Sequence, residues 1–281
     1  MTAPREEWQL DTQRLGRRVL VYERLDSTNR LAASLADDPA HDGLAILADE
    51  QTAGRGQHGR RWQCPPRGGV LLSVLLFPPP ALRRPALLTA WAAVSVCETI
   101  RRTTGLQAKI KWPNDVLLHG RKVCGILIEQ RTVARGEGPS LATICGIGLN
   151  ANQSAESFEQ AGLTEAGSLA LFARRPFDTH QLARLLLEQL DAEYGQLCAG
   201  DLATLEACWK WRIGLLGKLV RAECHDGTHH GRLREMGWDG LCLERADSEW
   251  LCLQPETVRH LTIWSGQGEE APPTERRPEP G

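Results

Sequence analysis

The chain has 281 residues, of which 42% are hydrophobic, and its 33 Lys and Arg against 35 Asp and Glu leave a formal net charge of −2. That balance argues against a general nucleic-acid binder, which carries a basic excess. No apolar run approaches the roughly 20 residues of a membrane span and the N-terminus has no apolar signal core, so a cytoplasmic protein without membrane contact is expected.

Residues 1–17 are polar and weakly patterned and are expected to form an N-terminal extension. RVLVY (Arg18 to Tyr22) predicts a strand. The following LDSTNRLAASLADD predicts a short helix capped by Ser27 or Thr28, with Leu31 and Leu35 on one face. GLAILADE is a second strand that runs straight into AGRGQHGRRW. GGVLLSVLLF (Gly68 to Phe77) is a continuous apolar run suited to a buried strand, closed by Pro78, Pro79 and Pro80.

From Arg84 to Arg102, Leu87, Leu88, Trp91, Val94 and Ile100 recur at helical intervals. Strand-like runs follow at QAKIKW, VCGILIEQ and SLATICGIGLN. A second helix over FDTHQLARLLLEQLDAEYGQL is capped by Asp178 and carries Leu182, Leu185, Leu186 and Leu190 as its stripe, and a third covers DLATLEACWKWRI. After Gly214 come short β runs (KLVRAE, THHGRLREM, GLCLER, EWLCLQ, VRHLTIW) broken by DG and ADS turns.

The order of elements predicts an α/β (α+β) body with a mixed sheet over residues 18–214, then a small all-β barrel over 215–265. The Pro-, Glu- and Arg-rich stretch 266–281 predicts a disordered tail. Nine cysteines are scattered singly with no C-x-x-C, which predicts reduced thiols in the core.

Two stretches carry chemistry. Gly54-Arg-Gly56-Gln-His-Gly59 fits G-x-G-x-x-G, the fingerprint of a dinucleotide turn, and a strand precedes it. Pro65 and Pro66 stand where the helix must open, however, and no acid lies between Glu50 and Glu98 to hold a ribose, so that reading fails. As a flexible loop, its glycines let backbone N–H groups approach an anion, while Arg55, Arg60 and Arg61 supply charge and bidentate hydrogen bonds to phosphate. On composition alone an ordinary solvated loop accounts for it equally well.

The second stretch is KWPNDVLLHGRKVCGILIEQ, where Asn114 and Asp115 follow Trp112-Pro113 and Lys122 stands just before an apolar strand. A carboxylate and a lysine beside an anion-binding loop suit nucleotide and metal handling. Read alone, PND is more often a simple turn than a site, and GIGLNAN more often an ordinary strand exit.

Taken in order, DSTN (26–29), EQTAGRGQHGRRW (50–62), KWPNDV (111–116), GRKVCGILIE (120–129) and GIGLNAN (146–152) closely resemble the motifs of the biotin protein ligase family (biotin–[acetyl-CoA-carboxylase] ligase). The motifs cover residues 19–152, and the β module near 216–264 is similar to that family's SH3-like C-terminal domain. The resemblance implies a class II aminoacyl-tRNA synthetase-like catalytic domain. It also implies formation of biotinyl-5′-AMP from biotin and Mg·ATP, then transfer of biotin to one lysine of the biotin carboxyl carrier protein of acetyl-CoA carboxylase.

By the family's pattern, Ser27, Thr28 and Asn29 would hydrogen-bond the biotin ureido group, and Gln51 would lie along the biotin site. Arg55, Gly56 and Gln57 would belong to a loop closing over biotin and the adenylate, mobile from Gly54 to Trp62 without ligand. Lys122 would contact the biotin carboxylate and the α-phosphate, and Asn114, Asp115 and Asn150 would sit on the nucleotide side. Arg55 would also reach the nucleotide, and Trp62 resembles the aromatic wall against adenine. Lys122 and Arg55, with Asp115 as helper in deprotonating the carrier lysine, would be the catalytic set, and no residue is assigned as a metal ligand.

Two departures from the family's pattern matter. Its loop commonly reads G-R-G-R-x-G-R, whereas Gln57 holds the fourth position here, which removes a cation near the adenylate. Bifunctional members carry an N-terminal winged helix for DNA, and with the catalytic body starting near residue 18 the expectation is a ligase that does not bind DNA. A homodimer is left open. The nearest alternative on the same fold is a lipoate or octanoate ligase or transferase, against which the GRGQHGRRW loop and KWPND favour biotin. A non-catalytic DNA-binding repressor would need a basic recognition helix, and the sequence offers none.

Overall fold

Alternating and continuous apolar runs in the first half fold as strands of one sheet. The computed structural model describes residues 3–135 and 138–266. The chain opens with β1 (Glu6–Gln9) and β2 (Arg18–Leu25), followed by helix α1 (Thr28–Leu35), β3 (Ala45–Gln51) and β4 (Gly69–Leu76). Every residue of β4 is buried, as its unbroken apolar run requires when both faces are covered. Helix α2 (Pro85–Thr104) starts on a proline that needs no intrahelical donor and ends at Gly105, whose φ of 75° is the left-handed cap.

Next come β5 (Lys109–Lys111), β6 (Asp115–Leu118), the long β7 (Arg121–Arg135) and β8 (Gly138–Asn150). The short helices α3 (Ala155–Gln160) and α4 (Leu169–Ala173) lead to α5 (Thr179–Cys198) and α6 (Leu202–Ile213). Asp178 caps α5 by accepting the backbone N–H groups of His180 and Gln181. The buried stripe of α5 runs through Leu182, Leu186, Leu187 and Leu190, and Leu185, expected in it, is only half-buried.

The eight strands pair in the order β1-β2-β3-β4-β8-β7-β6-β5. All pairings are antiparallel except β2 with β3, so the sheet is mixed. α2, α5 and α6 cover one face in a core that includes Trp91, Leu186, Ile126 and Trp209. The other face is covered by α1, where Leu31 and Leu35 pack beside Tyr22, Ile46, Leu75 and Ile144.

The segment expected as an N-terminal extension is part of this body. β1 pairs residue for residue with β2, and the Asp191 carboxylate accepts the backbone N–H groups of Gln13, Arg14 and Leu15 at 2.7 to 2.8 Å. Three charge-assisted bonds to one half-turn of backbone fix that segment on α5. The tail expected from residue 266 lies, from 267 onward, outside the described residues.

The C-terminal unit is a five-stranded antiparallel sheet of β9 (Leu219–Cys224), β10 (Thr228–Met236), β11 (Leu241–Glu244), β12 (Trp250–Leu253) and β13 (Val258–Ile263), ordered β12-β11-β10-β9-β13. Tryptophans join it to the body: Trp209 of α6 stacks on Trp238 at 4.8 Å, and the Trp112 indole N–H donates to the Val258 carbonyl at 2.7 Å.

One expectation about cysteine is overturned. Cys242 and Cys252 are direct cross-strand partners of β11 and β12 and form a disulfide. The remaining seven are free, and burial pushes the Cys145 thiol up to about 12. Among the described residues no helix is long and apolar enough to cross a membrane.

Candidate active site

All twelve residues singled out by motif line one cavity of about 300 Å³: Ser27, Thr28, Asn29, Gln51, Arg55, Gly56, Gln57, Trp62, Asn114, Asp115, Lys122 and Asn150. They come from α1, the end of β3, the loop after it, the β5–β6 turn, β7 and the end of β8, which the sheet order brings side by side.

The inner end is a polar network under α1. Ser27 stands at the N-cap position of α1, yet its hydroxyl makes no cap bond. The Thr28 backbone N–H and hydroxyl both face the Gln51 side-chain oxygen, at 2.8 and 3.1 Å. Asn29 is used at both ends of its amide. Its Nδ2 donates to Glu129 at 2.8 Å, and its Oδ1 lies 2.6 Å from the Ser73 hydroxyl, which also lies 2.7 Å from the Thr28 hydroxyl. Buried Asn, Thr and Ser held in such a chain have fixed orientations, so the donors and acceptors that face the cavity are set in advance.

The loop after β3 folds as a small hairpin. Arg55 bridges Arg61, the Gly56 N–H donates to the Arg60 carbonyl at 2.8 Å, and the Trp62 N–H donates to Gly54 at 3.0 Å. His58 and Gly59 turn the tip with φ of 55° and 75°, the left-handed region in which glycine is unstrained. No helix opens after Gly59, which agrees with the failure of the dinucleotide reading. Arg55 donates to Glu129 at 2.6 Å, so the same carboxylate holds both the hairpin and Asn29.

Beyond the hairpin the cavity has a floor of glycine. A Cβ on Gly148 would stand 2.4 Å from the Trp62 ring, one on Gly125 would stand 2.9 Å from it, and one on Gly146 would stand 2.1 Å from Asn29 Oδ1. The bare backbones of β7 and β8 thus let an indole and an amide lie flat against the sheet. Trp62 Nε1 is buried without a hydrogen-bond partner, which costs about 1–3 kcal/mol unless an incoming group accepts it. Lys122 extends over this region, with Nζ 2.6 Å from Asp115 Oδ1 and 5.6 Å from the Trp62 ring centre. Asn114 donates to the Ile126 carbonyl at 2.7 Å, and Asn150 donates to Gly167 at 3.0 Å, so both amides are fixed by main chain.

Two functional residues escaped the motif reading. Ser73 is embedded in an apolar run and reads as core, and Glu129 closes GRKVCGILIE without any local signal for its partners. The three floor glycines stand within GRKVCGILIE and GIGLNAN, where the sequence alone carries no sign of what lies against them. Physically, the cavity combines the hydrogen-bonding groups of Thr28, Asn29 and Gln51 with the cations Lys122, Arg55, Arg60 and Arg61 in one lining. It can take a ligand that carries both a polar, neutral group and an anionic one.

Known proteins resemble this chain in sequence and in fold. Residues 21–150 match the model of the biotin/lipoate A/B protein ligase family. The chain is 34% identical over 213 residues to the biotin–[acetyl-CoA-carboxylase] ligase of Paracoccus denitrificans, covering 74% of this chain and 86% of that protein. It is 31% identical over 253 residues to the ligase of the same name from Mycobacterium tuberculosis, with 86% and 90% covered. Over 234 residues it is 32% identical to the bifunctional ligase/repressor BirA of Bacillus subtilis, covering 83% of this chain and 71% of that protein.

Among solved structures, the biotin protein ligase from Aquifex aeolicus in complex with biotin and ATP shares the fold, with a TM-score of 0.69 at 23% identity over 88% of this chain and 98% of that one. On motif order, fold and these relatives together, the chain belongs to the biotin/lipoate A/B protein ligase family.

Proposed function

We propose that this protein is an ATP-dependent biotin protein ligase, which activates biotin as biotinyl-5′-AMP and transfers it to one lysine of a biotin carboxyl carrier protein. The observation that carries the reading is one cavity lined both by Thr28 and Asn29, which Ser73 holds from beneath, and by the Lys122–Asp115 pair. Relatives of more than 30% identity that are named as biotin ligases favour biotin over lipoate as the acid.

In this reading the ureido group of biotin lies against Ser27, Thr28 and Asn29, with Gln51 alongside and the hairpin of Arg55, Gly56 and Gln57 above. The biotin carboxylate then points toward Lys122. Its oxygen attacks the α-phosphorus of ATP, a P–O bond to that oxygen forms, and the bond to the pyrophosphate leaving group breaks. Negative charge builds on the α-phosphate oxygens, and Lys122 and Arg55 are the fixed cations that stabilise it. Trp62 offers its ring to adenine, and Asn114, Asp115 and Asn150 line the nucleotide end.

Transfer needs a neutral amine. The carrier lysine attacks the biotinyl carbonyl, its proton leaves, and AMP departs with the former bonding pair. In this reading Asp115, the carboxylate beside Lys122, takes that proton. The enzyme's own work is positioning and charge stabilisation, so it needs no nucleophile of its own.

Magnesium fits the donor set here. The Asp115 carboxylate in the cavity lining, an oxygen ligand of the kind this hard cation takes, would hold it together with the phosphates of the nucleotide. When bound, the ion would neutralise phosphate charge.

The test is incubation with biotin, Mg·ATP and a carrier domain, followed by intact mass measurement. The expected result is one biotin adduct on the carrier, absent without ATP and lost in Lys122→Ala. Adduct formation with lipoate in place of biotin would overturn the assignment.

A further inference from the structure

Away from the cavity, the β9–β10 hairpin gathers a second constellation. Cys224, Asp226 and His229 each present a ligand atom, and these atoms all lie within 4.8 Å of one another. His229 Nε2 is 3.4 Å from Asp226 Oδ1. The sheet explains the convergence. Val220 and Ala222 on β9, and Gly231 and Leu233 on β10, form the buried face. Alternation carries that face on to Cys224 and His229 at the end of the hairpin, where the Cys224 N–H donates to Gly227 at 2.8 Å and folds Asp226 over them.

We propose that Cys224, Asp226 and His229 bind one divalent transition-metal ion of the zinc class, leaving a fourth coordination position open. Metal–nitrogen and metal–oxygen bonds of about 2.0–2.1 Å in a tetrahedron set an N···O edge of about 3.4 Å. The observed His229–Asp226 separation, 3.4 Å, already has that length. The thiol selects the metal, because a soft sulfur beside an imidazole suits zinc, cobalt or copper, whereas magnesium and calcium take oxygen. On binding, the Cys224 sulfur gives its proton to solvent and coordinates as thiolate, and His229 coordinates through Nε2.

The site is joined to the catalytic body through main chain. Cys224 is the register partner of Val258, whose carbonyl accepts the Trp112 indole N–H at 2.7 Å, and Trp112 lines the catalytic cavity. An ion on this hairpin therefore holds the strand against which the Trp112–Pro113 turn is seated.

The test is titration of the metal-free chain with Co²⁺, read by absorption and followed by displacement with Zn²⁺. A single equivalent should give the visible bands of tetrahedral cobalt with a thiolate-to-cobalt charge-transfer band. Cys224→Ser should abolish the charge-transfer band. Loss of a partner one shell further out costs about 10–100-fold in affinity, so His229→Ala and the exposed-turn variant Asp226→Asn should each weaken binding by at least about tenfold. Cys208→Ser, at an exposed free cysteine on α6, should change nothing. No charge-transfer band in the native chain, or a band that survives in Cys224→Ser, would overturn the proposal. Circular dichroism of each variant separates lost metal binding from lost folding, and Asp226→Asn, altered only in the turn, carries the test if Cys224→Ser unfolds.

Discussion

Glu129 accepts Arg55 of the hairpin at 2.6 Å and Asn29 of the inner network at 2.8 Å, so one carboxylate ties the covering loop to the floor beneath it. Glu129→Gln keeps an acceptor for Asn29 but removes the counter-charge for Arg55. The expected outcome is a folded protein whose hairpin is cut faster by protease and whose biotin affinity falls about three- to tenfold, the size of one hydrogen bond. Isothermal titration with biotin and limited proteolysis measure both, and unchanged values in each would remove Glu129 from the site.

The glycine floor gives a paired prediction. Gly146→Ala drives a methyl into Asn29, and Gly148→Ala drives one into the Trp62 ring. Overpacking costs about 1–3 kcal/mol, or roughly five- to 150-fold in affinity. Gly146→Ala should weaken biotin and spare ATP, whereas Gly148→Ala should weaken ATP and spare biotin. Separate binding titrations would show whether the losses divide in this way, and equal loss of both ligands in both variants would refute that division.

Gln57 lines the cavity at the tip of the hairpin. Gln57→Arg restores a cation next to the adenylate. One charge-assisted hydrogen bond of about 1.4 kcal/mol slows adenylate release by about tenfold. Pulse-chase dissociation of labelled biotinyl-5′-AMP is the measurement, and an unaltered rate would show that Gln57 does not govern retention.

Acid sensitivity follows from Asp49, a buried carboxylate on β3 that accepts Arg5 at 2.8 Å, His180 at 2.7 Å and Arg67 at 3.2 Å. Burial alone would raise its pKa, but His180, Arg67 and Arg5 together hold it below the usual carboxylate value. A depressed pKa in the folded state contributes stability that is complete above the unfolded value of about 3.9 and is lost as pH falls through the folded one. Asp49→Asn should therefore cost about 1–3 kcal/mol at neutral pH and flatten the acid limb of a stability profile below about pH 4. Urea denaturation across pH tests the slope, and an acid limb as steep as that of the native chain would assign it elsewhere.

Much of this was legible in the sequence because single elements announce themselves. The β4 run, the Asp178 cap and the leucine stripe of α5 are local patterns, and the motifs picked out twelve of the residues that line the cavity. What escaped depends on pairing between distant segments. Ser73 looks like core until α1 is laid across β4, and Glu129 looks like an exposed strand end until the hairpin reaches it. Cys242 and Cys252 are ordinary apolar-strand residues until the β11–β12 register sets them face to face. Residues 6–9 resemble a loose leader until β2 offers its free edge.

Gln57 and His58 line two spaces at once, the catalytic cavity and a smaller groove of about 220 Å³ walled by Pro85, His225 and Arg259. The hairpin tip is a partition with a chamber on either side. A ligand that moved Gln57 or His58 in one chamber would change the wall of the other. Thermodynamic reciprocity makes that influence equal in both directions. Among the hairpin residues, Gln57 and His58 are the shared wall through which such an influence would pass.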